Sequence, residues 1–154
     1  MKVKKYLSAL LMLVMLCALI PLTGCSKDED GISSPALIIG KWQGVSSSGW
    51  EKEDGKVVDK WNDKESFDYD FIEFFYDASG EWWYADSNRK HSFAWCLNEG
   101  KDGIEVEIGE GFVGNGTGDT YKIKTLTKDK LVLVSGDDDP DDGWYQEDTY
   151  KRID

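Results

Sequence analysis

Apolar and polar side chains alternate with a period of two along much of the chain beyond residue 36. The clearest stretch is 104–108, where isoleucine and valine alternate with Glu105 and Glu107, and 121–124 continues the same pattern. Successive side chains of a β-strand point to opposite faces, so this period predicts strands with one buried and one solvated face. We therefore expect both glutamates on the solvated face.

Eight or nine such strands are predicted. The candidate strands lie at 41–48, 57–61, 71–76, 82–85, 93–97, 104–108, 121–124 and 144–153. A further hairpin is indicated by the polar residues between Leu126 and Leu131, and turns are predicted at 77–80 and 98–103. Apart from a short turn at 35–39, no helical stripe is convincing. Many short antiparallel strands with regular turns favour a barrel or a sandwich.

The first 24 residues have a different pattern. Three lysines precede an apolar run of 14 residues at 7–20. A helix needs about 20 residues to span a bilayer, so a basic start and a short apolar centre predict a secretory signal rather than a membrane span. The sequence Leu22-Thr23-Gly24-Cys25 resembles the lipobox of bacterial lipoproteins. That resemblance implies that residues 1–24 are removed as a signal peptide and that Cys25 is lipidated.

A polar, acidic segment follows this cysteine. Residues 25–36 hold Lys, Asp, Glu, Ser, Gly and Pro and few apolar side chains, so we expect a flexible tether. The acidic cluster at 28–30 also resembles the export signal that sends lipoproteins of certain Gram-negative gut anaerobes to the outer face of the outer membrane. An ordinary solvated linker is the alternative. The expected location is the cell envelope, as an outer-membrane lipoprotein, and which membrane face carries the domain stays open.

Net charge and cysteine content limit which binding partners and which disulfides the chain can have. Without residues 1–24, which hold three lysines and no acid, the chain has 15 basic and 30 acidic residues, a net charge of −15. Nucleic acids and anionic headgroups are bound mainly through Lys and Arg, so nucleic acid is excluded and the membrane contact is left to the acyl anchor. The remaining 130 residues are a single-domain length. With Cys17 in the signal and Cys25 lipidated, Cys96 has no partner for an intramolecular disulfide.

A motif at the start of the first strand adds a family resemblance. Gly40 and Trp42 form a Gly-x-Trp motif, and Arg152 lies near the chain end. These residues and the strand pattern resemble the lipocalin signature, and 37–153 is similar to the small lipocalin-like domains of lipoproteins from gut anaerobes. The resemblance implies that 37–154 forms one all-β, antiparallel up-and-down lipocalin-like barrel of about eight strands. It also implies that the arginine lies across the tryptophan where the barrel closes, a cation–π contact.

Large rings dominate the predicted inward face of the strands, which includes Ile72 and Tyr76. A barrel of eight strands can fill its interior with side chains or hold one small ligand. In the second case, the ligand-binding pocket would be lined by five candidate aromatic residues: Phe74, Trp82, Tyr84, Trp95 and Tyr121. A packed core built from the same rings is the alternative. Trp83 has the opposite phase and is expected to face outward, as a candidate partner contact.

No catalytic constellation is apparent in the sequence. His91, the one histidine, is expected in an exposed turn with no nucleophile beside it, and Cys96 is expected to be a buried, inert thiol. The loop 137–142 offers carboxylates, which are calcium ligands. However, Asp142 replaces the turn glycine of a calcium loop, and no helices flank it. An acidic solvated loop is favoured, a weak cation site stays open, and no metal ion or cofactor is predicted.

These features predict a non-catalytic, membrane-anchored lipoprotein whose barrel binds a small apolar or aromatic molecule. The alternative is an interaction module with a filled barrel, which would contact a protein or glycan of a cell-surface complex through outer rings such as Trp50 or Trp83. The interior of the barrel separates the two hypotheses. An empty, ring-lined interior suits a carrier, and a filled one suits the module.

Overall fold

The computed structural model describes residues 35–63, 68–100, 103–110, 118–137 and 139–154. It contains a 3₁₀-helix, Pro35–Ile38, followed by the strands β1 Gly40–Glu53, β2 Lys56–Asp63, β3 Phe71–Phe74, β4 Ser79–Trp83, β5 His91–Gly100, β6 Gly103–Gly109, β7 Asp119–Leu126, β8 Lys130–Asp137 and β9 Trp144–Arg152. Within the described ranges, no helix is long and apolar enough to cross a membrane. The predicted signal peptide, the predicted lipidation site Cys25 and nearly all of the predicted tether lie outside these ranges.

Eight strands close into a barrel. From β3 to β9, neighbours along the chain pair antiparallel, and β1 completes the ring by pairing with β3 and with β9. Among the described strands, β2 pairs only with β1, through Ser47–Glu53, and extends the sheet beside the ring. The predicted all-β, antiparallel up-and-down barrel of about eight strands is confirmed.

One inward prediction at the end of β3 is wrong. β3 ends at Phe74, and Tyr76 lies in the following turn with 90% of its surface exposed. The backbone N–H and hydroxyl of Ser79 both donate to the carboxylate of Asp77. This local hydrogen bonding closes a turn, so the period of two stops before Tyr76 although its residue type would continue it.

Other strands are longer than predicted. β1 continues to Glu53, and β5 and β6 reach Gly100 and Gly103, so most of the predicted turn at 98–103 is strand. These extensions consist of Gly, Asn and Glu together with Trp50 and Lys52, and they show no alternation of apolar and polar residues. They form strands because a partner strand supplies backbone hydrogen bonds there, a tertiary effect that overrides local preference.

The lower end of the barrel, which carries the 3₁₀-helix, is filled. Its buried side chains form one continuous cluster with the rest of the core: Ile38, Trp42, Ile72, Phe74, Phe93, Trp95, Val106, Ile108, Ile123, Leu126, Leu131, Leu133 and Tyr150. Phe74 meets Phe93 and Trp95 edge to face, with centroids 5.6 and 5.4 Å apart, the geometry that the ring quadrupole favours. We call this packed region the floor.

Arg152 closes the floor. Its Cζ lies 4.3 Å from the centroid of the Trp42 ring, so the contact predicted between these two residues is present. Nη1 donates to the carbonyl of Ile39 (2.9 Å), and Nε donates to that of Lys128 (2.6 Å). The Trp42 indole N–H donates in turn to the carbonyl of Ile38 (2.8 Å). Nη2 of Arg152 also donates to the carbonyl of Leu37 in the helix. One side chain therefore joins the helix, β1, β9 and the β7–β8 hairpin.

Gly40 is required beside this contact. Its φ is +133°, which L side chains rarely adopt. A Cβ there would also collide with the guanidinium group of Arg152. Glycine therefore lets the arginine approach the start of β1.

Replacing Arg152 with alanine is expected to lower the free energy of unfolding by about 3 kcal/mol, because the cation–π contact and several hydrogen bonds to carbonyls are lost together. Lys151→Ala, which removes an exposed neighbouring cation, should change it by less than about 0.5 kcal/mol. Urea unfolding followed by tryptophan fluorescence measures both variants. Equal effects would contradict the role given to Arg152.

Candidate functional site

The upper end of the barrel, opposite the helix, holds a buried polar network. It consists of Asp68, Tyr69, Tyr121, Gln146 and Asp148, and we call it the mouth network. β9 supplies two members because its inward phase runs through Gln146 and Asp148, opposite Ser135 and Leu133 of β8. Asp148 is 3% exposed although it is a carboxylate, so its hydrogen bonds must replace those with water.

Asp148 and Gln146 hold this network together. Oδ2 of Asp148 accepts from the backbone N–H of Asp68 (3.0 Å) and from Nε2 of Gln146 (3.0 Å). The same Gln146 amide lies 3.0 Å from Oδ1 of Asp68. The hydroxyls of Tyr69 and Tyr121 are 3.1 Å apart, and Tyr121 hydrogen-bonds to the Asp68 carboxylate. A single amide therefore bridges two carboxylates, and a pair of phenols extends the network.

Burial shifts the acid–base behaviour of these groups. Desolvation and, after it, the nearby Asp148 raise the pKa of Asp68 above its ordinary value. Desolvation also raises the pKa of Tyr69 to about 12, and it raises the pKa of Tyr121 further. Both phenols are therefore protonated at neutral pH and present hydroxyl groups rather than charges.

A cavity of about 330 Å³ lies above the mouth network. Its lining residues are Asp68, Asp119, Thr120, Tyr121, Ser135, Gly136 and Trp144. We call it the mouth cavity. The lining offers two carboxylates, three hydroxyls and one indole, and it includes no basic side chain. Such a surface accepts hydrogen bonds from a ligand and repels anions.

Of the five aromatic residues predicted to line a pocket, Tyr121 lines this cavity. Phe74 and Trp95 belong to the floor and are buried, and neither of them lines the mouth cavity. Trp95 also donates its indole N–H to the carbonyl of Ser79 (2.9 Å), so its polar group is used within the fold. The interpretation of these two rings as packed core is the one that the structure supports.

Trp82 and Tyr84 lie beside the mouth rather than in the cavity. Trp82 is half-buried between Tyr69, 5.2 Å away, and His91, whose ring stacks on it at 4.1 Å with an angle of 8°. Tyr84 follows the end of β4 and is 41% exposed. His91 was expected in an exposed turn, and this is wrong: it begins β5 and is half-buried by the stack.

Glu107 also departs from its prediction. It points to the outer face of β6, but it is 1% exposed instead of solvated. Its carboxylate accepts from the backbone N–H of Gly118 (3.1 Å) and from Nδ2 of Asn98 (3.3 Å). Cys96 is half-buried on the neighbouring strand, with Sγ 4.0 Å from the same carboxylate. The alternation of residues correctly placed Glu107 on the outer face of β6, but it could not show that neighbouring residues cover that face.

The acidic loop after β8 is held by its own turn geometry. Oδ1 of Asp139 accepts from the backbone N–H groups of Asp141 (2.9 Å) and Asp142 (3.0 Å), which lowers the pKa of Asp139. The loop contacts the β1–β2 turn, where Gly55 donates to the carbonyl of Asp141 (2.8 Å). Among the described residues no three acidic, His or Cys side chains are grouped to hold a metal ion. Asp138 lies outside the described residues.

The outer rings are covered by lysines. Trp83 faces outward, as predicted, and stacks on Phe71 at 5.2 Å, while Nζ of Lys90 lies 4.6 Å from its centroid. Trp50 is arranged in the same way, stacked on Tyr145 with Lys52 over its ring. Each ring already has cation–π and stacking partners within the chain. This reduces the flat apolar area that either ring offers to a partner.

Sequence reasoning missed most of the mouth: Asp68, Asp119, Thr120, Ser135, Gly136, Trp144, Gln146 and Asp148. In β9 both phases are polar, since Gln146 and Asp148 alternate with Glu147 and Thr149. Hydrophobicity therefore cannot tell which phase is buried. The signal in this strand is the pair of large rings Trp144 and Tyr150, which lie in the same phase as Gln146 and Asp148.

The closed antiparallel barrel, with its packed floor and polar mouth, belongs to the binding type of β-barrel. The chain is a member of the lipocalin-like domain family, whose model matches residues 38–133. The match covers β1 through the first half of β8, and it ends before β9. A comparison with curated proteins gives no match. Domains of this family typically bind rather than catalyse.

Asp68→Asn is expected to stabilise the fold at neutral pH. The pKa of Asp68 is raised in the folded state. Its ionisation therefore leaves the free energy of unfolding unchanged below pH 3.8, the ordinary pKa, and lowers that free energy progressively as pH rises from there through the folded pKa. Asparagine keeps an oxygen that accepts from Gln146 but carries no charge. The gain in free energy of unfolding over wild type should vanish below pH 3.8.

Urea unfolding across pH measures this difference, with the exposed Asp86→Asn as the control for general loss of negative charge. The control should give a smaller change at neutral pH. A gain for Asp68→Asn that persists in acid would contradict the assignment.

Proposed function

We propose that this chain is a lipid-anchored binding protein of the cell envelope that holds a small ligand in the mouth cavity without chemical change. The observation that carries the proposal is the cavity of about 330 Å³ above a packed floor. Small-molecule sites are typically preformed concavities of about this size and larger. A rigid floor below and hydrogen-bonded side chains around the cavity reduce the ordering that binding requires.

The polar, acidic lining of the mouth cavity disfavours the wholly apolar ligand that the sequence left possible. A wholly apolar molecule would shield the carboxylates of Asp68 and Asp119 from water and offer neither a hydrogen bond, which is costly. A ligand with hydrogen-bond donors and one flat apolar face fits better, because Trp144 offers a ring and the carboxylates offer acceptors. The absence of Lys and Arg from this lining disfavours anionic ligands.

The filled floor also agrees with the alternative, an interaction module with a packed barrel. The outer rings named for that role are Trp50 and Trp83, and both are stacked and covered by lysines. The mouth cavity, by contrast, is a concave surface among the described residues. We therefore place binding at the mouth rather than on the outer rings.

The anchor part of the proposal comes from the sequence. Residues 1–24 serve as a lipoprotein signal peptide, Cys25 carries the lipid, and 25–36 tethers the barrel to the outer membrane. The family match begins at residue 38, directly after this tether, which supports the proposed boundary. The net charge of −15 leaves acyl chains as the membrane contact.

Ser135→Trp is expected to fill the mouth cavity and to remove bound ligand without unfolding the floor. The full chain, purified from its own host and examined by native mass spectrometry, should carry an extra mass that denaturation releases. The Ser135→Trp protein should lack it, and Lys128→Trp, which adds the same ring on the exposed hairpin at the other end, should keep it. A bare wild-type protein in every preparation would contradict the proposed function.

Cys25→Ala is expected to abolish lipidation. Cells given a radiolabelled fatty acid should label the wild-type chain and the Cys17→Ala and Cys96→Ala variants, but not Cys25→Ala. The unlabelled variant should also leave the membrane fraction if it is cleaved at all. Labelling of Cys25→Ala would refute the anchor assignment.

A further inference from the structure

The barrel wall is split between β7 and β8 at the mouth. The ladder between these strands ends at the pair Lys122–Val134, next to a bulge between Ile123 and Thr125. Beyond that pair, residues 119–121 pair with β6 and residues 135–137 pair with β9, but no pairs join the two segments among the described residues. A bulge increases local twist and bends a strand, which accounts for the separation. We call this opening the β7–β8 split.

Two cavities meet at the split. The mouth cavity lies on its inner side, and an outer cleft of about 470 Å³ lies on its outer side. Four residues line both: Thr120, Ser135, Gly136 and Trp144. The outer cleft adds Glu105, Lys122, Val134, Asp137 and Tyr145. The two cavities therefore adjoin at the split, where a ligand longer than one ring can contact both.

Gly136 and Trp144 shape this passage. A Cβ on Gly136 would lie 2.6 Å from the carbonyl oxygen of Trp144 and 3.2 Å from Cα of Tyr145. Such distances are too short for a side chain, so glycine is what allows β9 to approach β8 here. The close approach places the Trp144 indole, 41% exposed, where both cavities share it.

The two cavities together present mostly hydrogen-bond acceptors and one exposed indole ring. Asp68 and Asp119 inside, and Glu105 and Asp137 outside, accept hydrogen bonds, while Lys122 donates. Four carboxylates against one ammonium group repel acidic chains, and an apolar chain would displace water from them without supplying hydrogen bonds in its place. A neutral chain of sugar rings supplies hydroxyl donors to the carboxylates, acceptors to the lysine and a C–H face to the indole.

We infer that the β7–β8 split binds a neutral oligosaccharide, with one sugar unit in the mouth cavity, the next against Trp144 and the following units in the outer cleft. This inference rests on the proposed function, since it names the ligand class of the same mouth, and it adds a second subsite outside the barrel.

The test is isothermal titration of the full chain with neutral linear oligosaccharides of one to six hexose units, in α- and β-linked series. A zwitterionic detergent without a sugar headgroup keeps the lipidated protein in solution and avoids competition. Affinity should rise with chain length and then level off once both subsites are filled. Ser135→Trp should abolish binding.

Two variants locate the subsites. Trp144→Ala should weaken binding of the longer chains at least tenfold, and Trp144→Phe, which keeps a ring, should restore most of it. Lys122→Ala should weaken the longer chains while leaving the shortest binding chain unchanged, and the exposed Lys151→Ala is its matched control. Near-UV circular dichroism confirms that each variant is folded.

The outcomes separate the two proposals. If no oligosaccharide binds, but the host-derived mass is present and sensitive to Ser135→Trp, the mouth binds another ligand class and the inference fails alone. If neither is found, both proposals fail. Oligosaccharide binding that is indifferent to both Trp144→Ala and Lys122→Ala would place the sugar elsewhere and overturn the assignment to the split.

Discussion

The architecture depends on β1, the strand that closes the barrel by pairing with both β3 and β9. One edge of this strand carries nine register pairs to β9, interrupted by a bulge between Gly44 and Ser46. Its other edge changes partner at about the same height, from β3 below to β2 above. Because a bulge bends a strand, β1 can close the ring at the floor and lean away from β3 toward the mouth. The closed floor and the open mouth follow from this one bend.

The two ends of the barrel divide stability and recognition between them. The floor buries rings and aliphatic side chains in edge-to-face and close-packed contacts, the largest favourable contribution in a domain of this size. The mouth does the opposite, since it holds two carboxylates near each other in a partly desolvated site. Unfavourable electrostatics of this kind persist where the rest of the structure compensates. Such local strain is frequent at binding sites.

Much of the fold could be predicted from the sequence, because alternation reports a strand whenever one phase is apolar. Ile72 and Phe74 were placed correctly on the inner face, and Gly40, Trp42 and Arg152 stand together as their motif implies. The prediction that Tyr76 faces inward was wrong because a turn, held by a side-chain hydrogen bond, interrupts the alternation. The mouth was largely missed because both phases of β9 are polar, and because a cavity depends on how strands diverge, which no local pattern encodes.

β2 lies outside the ring and has a further consequence for assembly. In the described part of the chain its outer edge has no partner, and Val57 and Val58 are about half exposed along it. An unpaired edge of this kind can template a strand from another molecule. Lys56 and Lys60 flank the valines on either side, and charges along an edge oppose such pairing between identical copies. The charge pattern of this one strand thus opposes edge-to-edge pairing between copies of the domain.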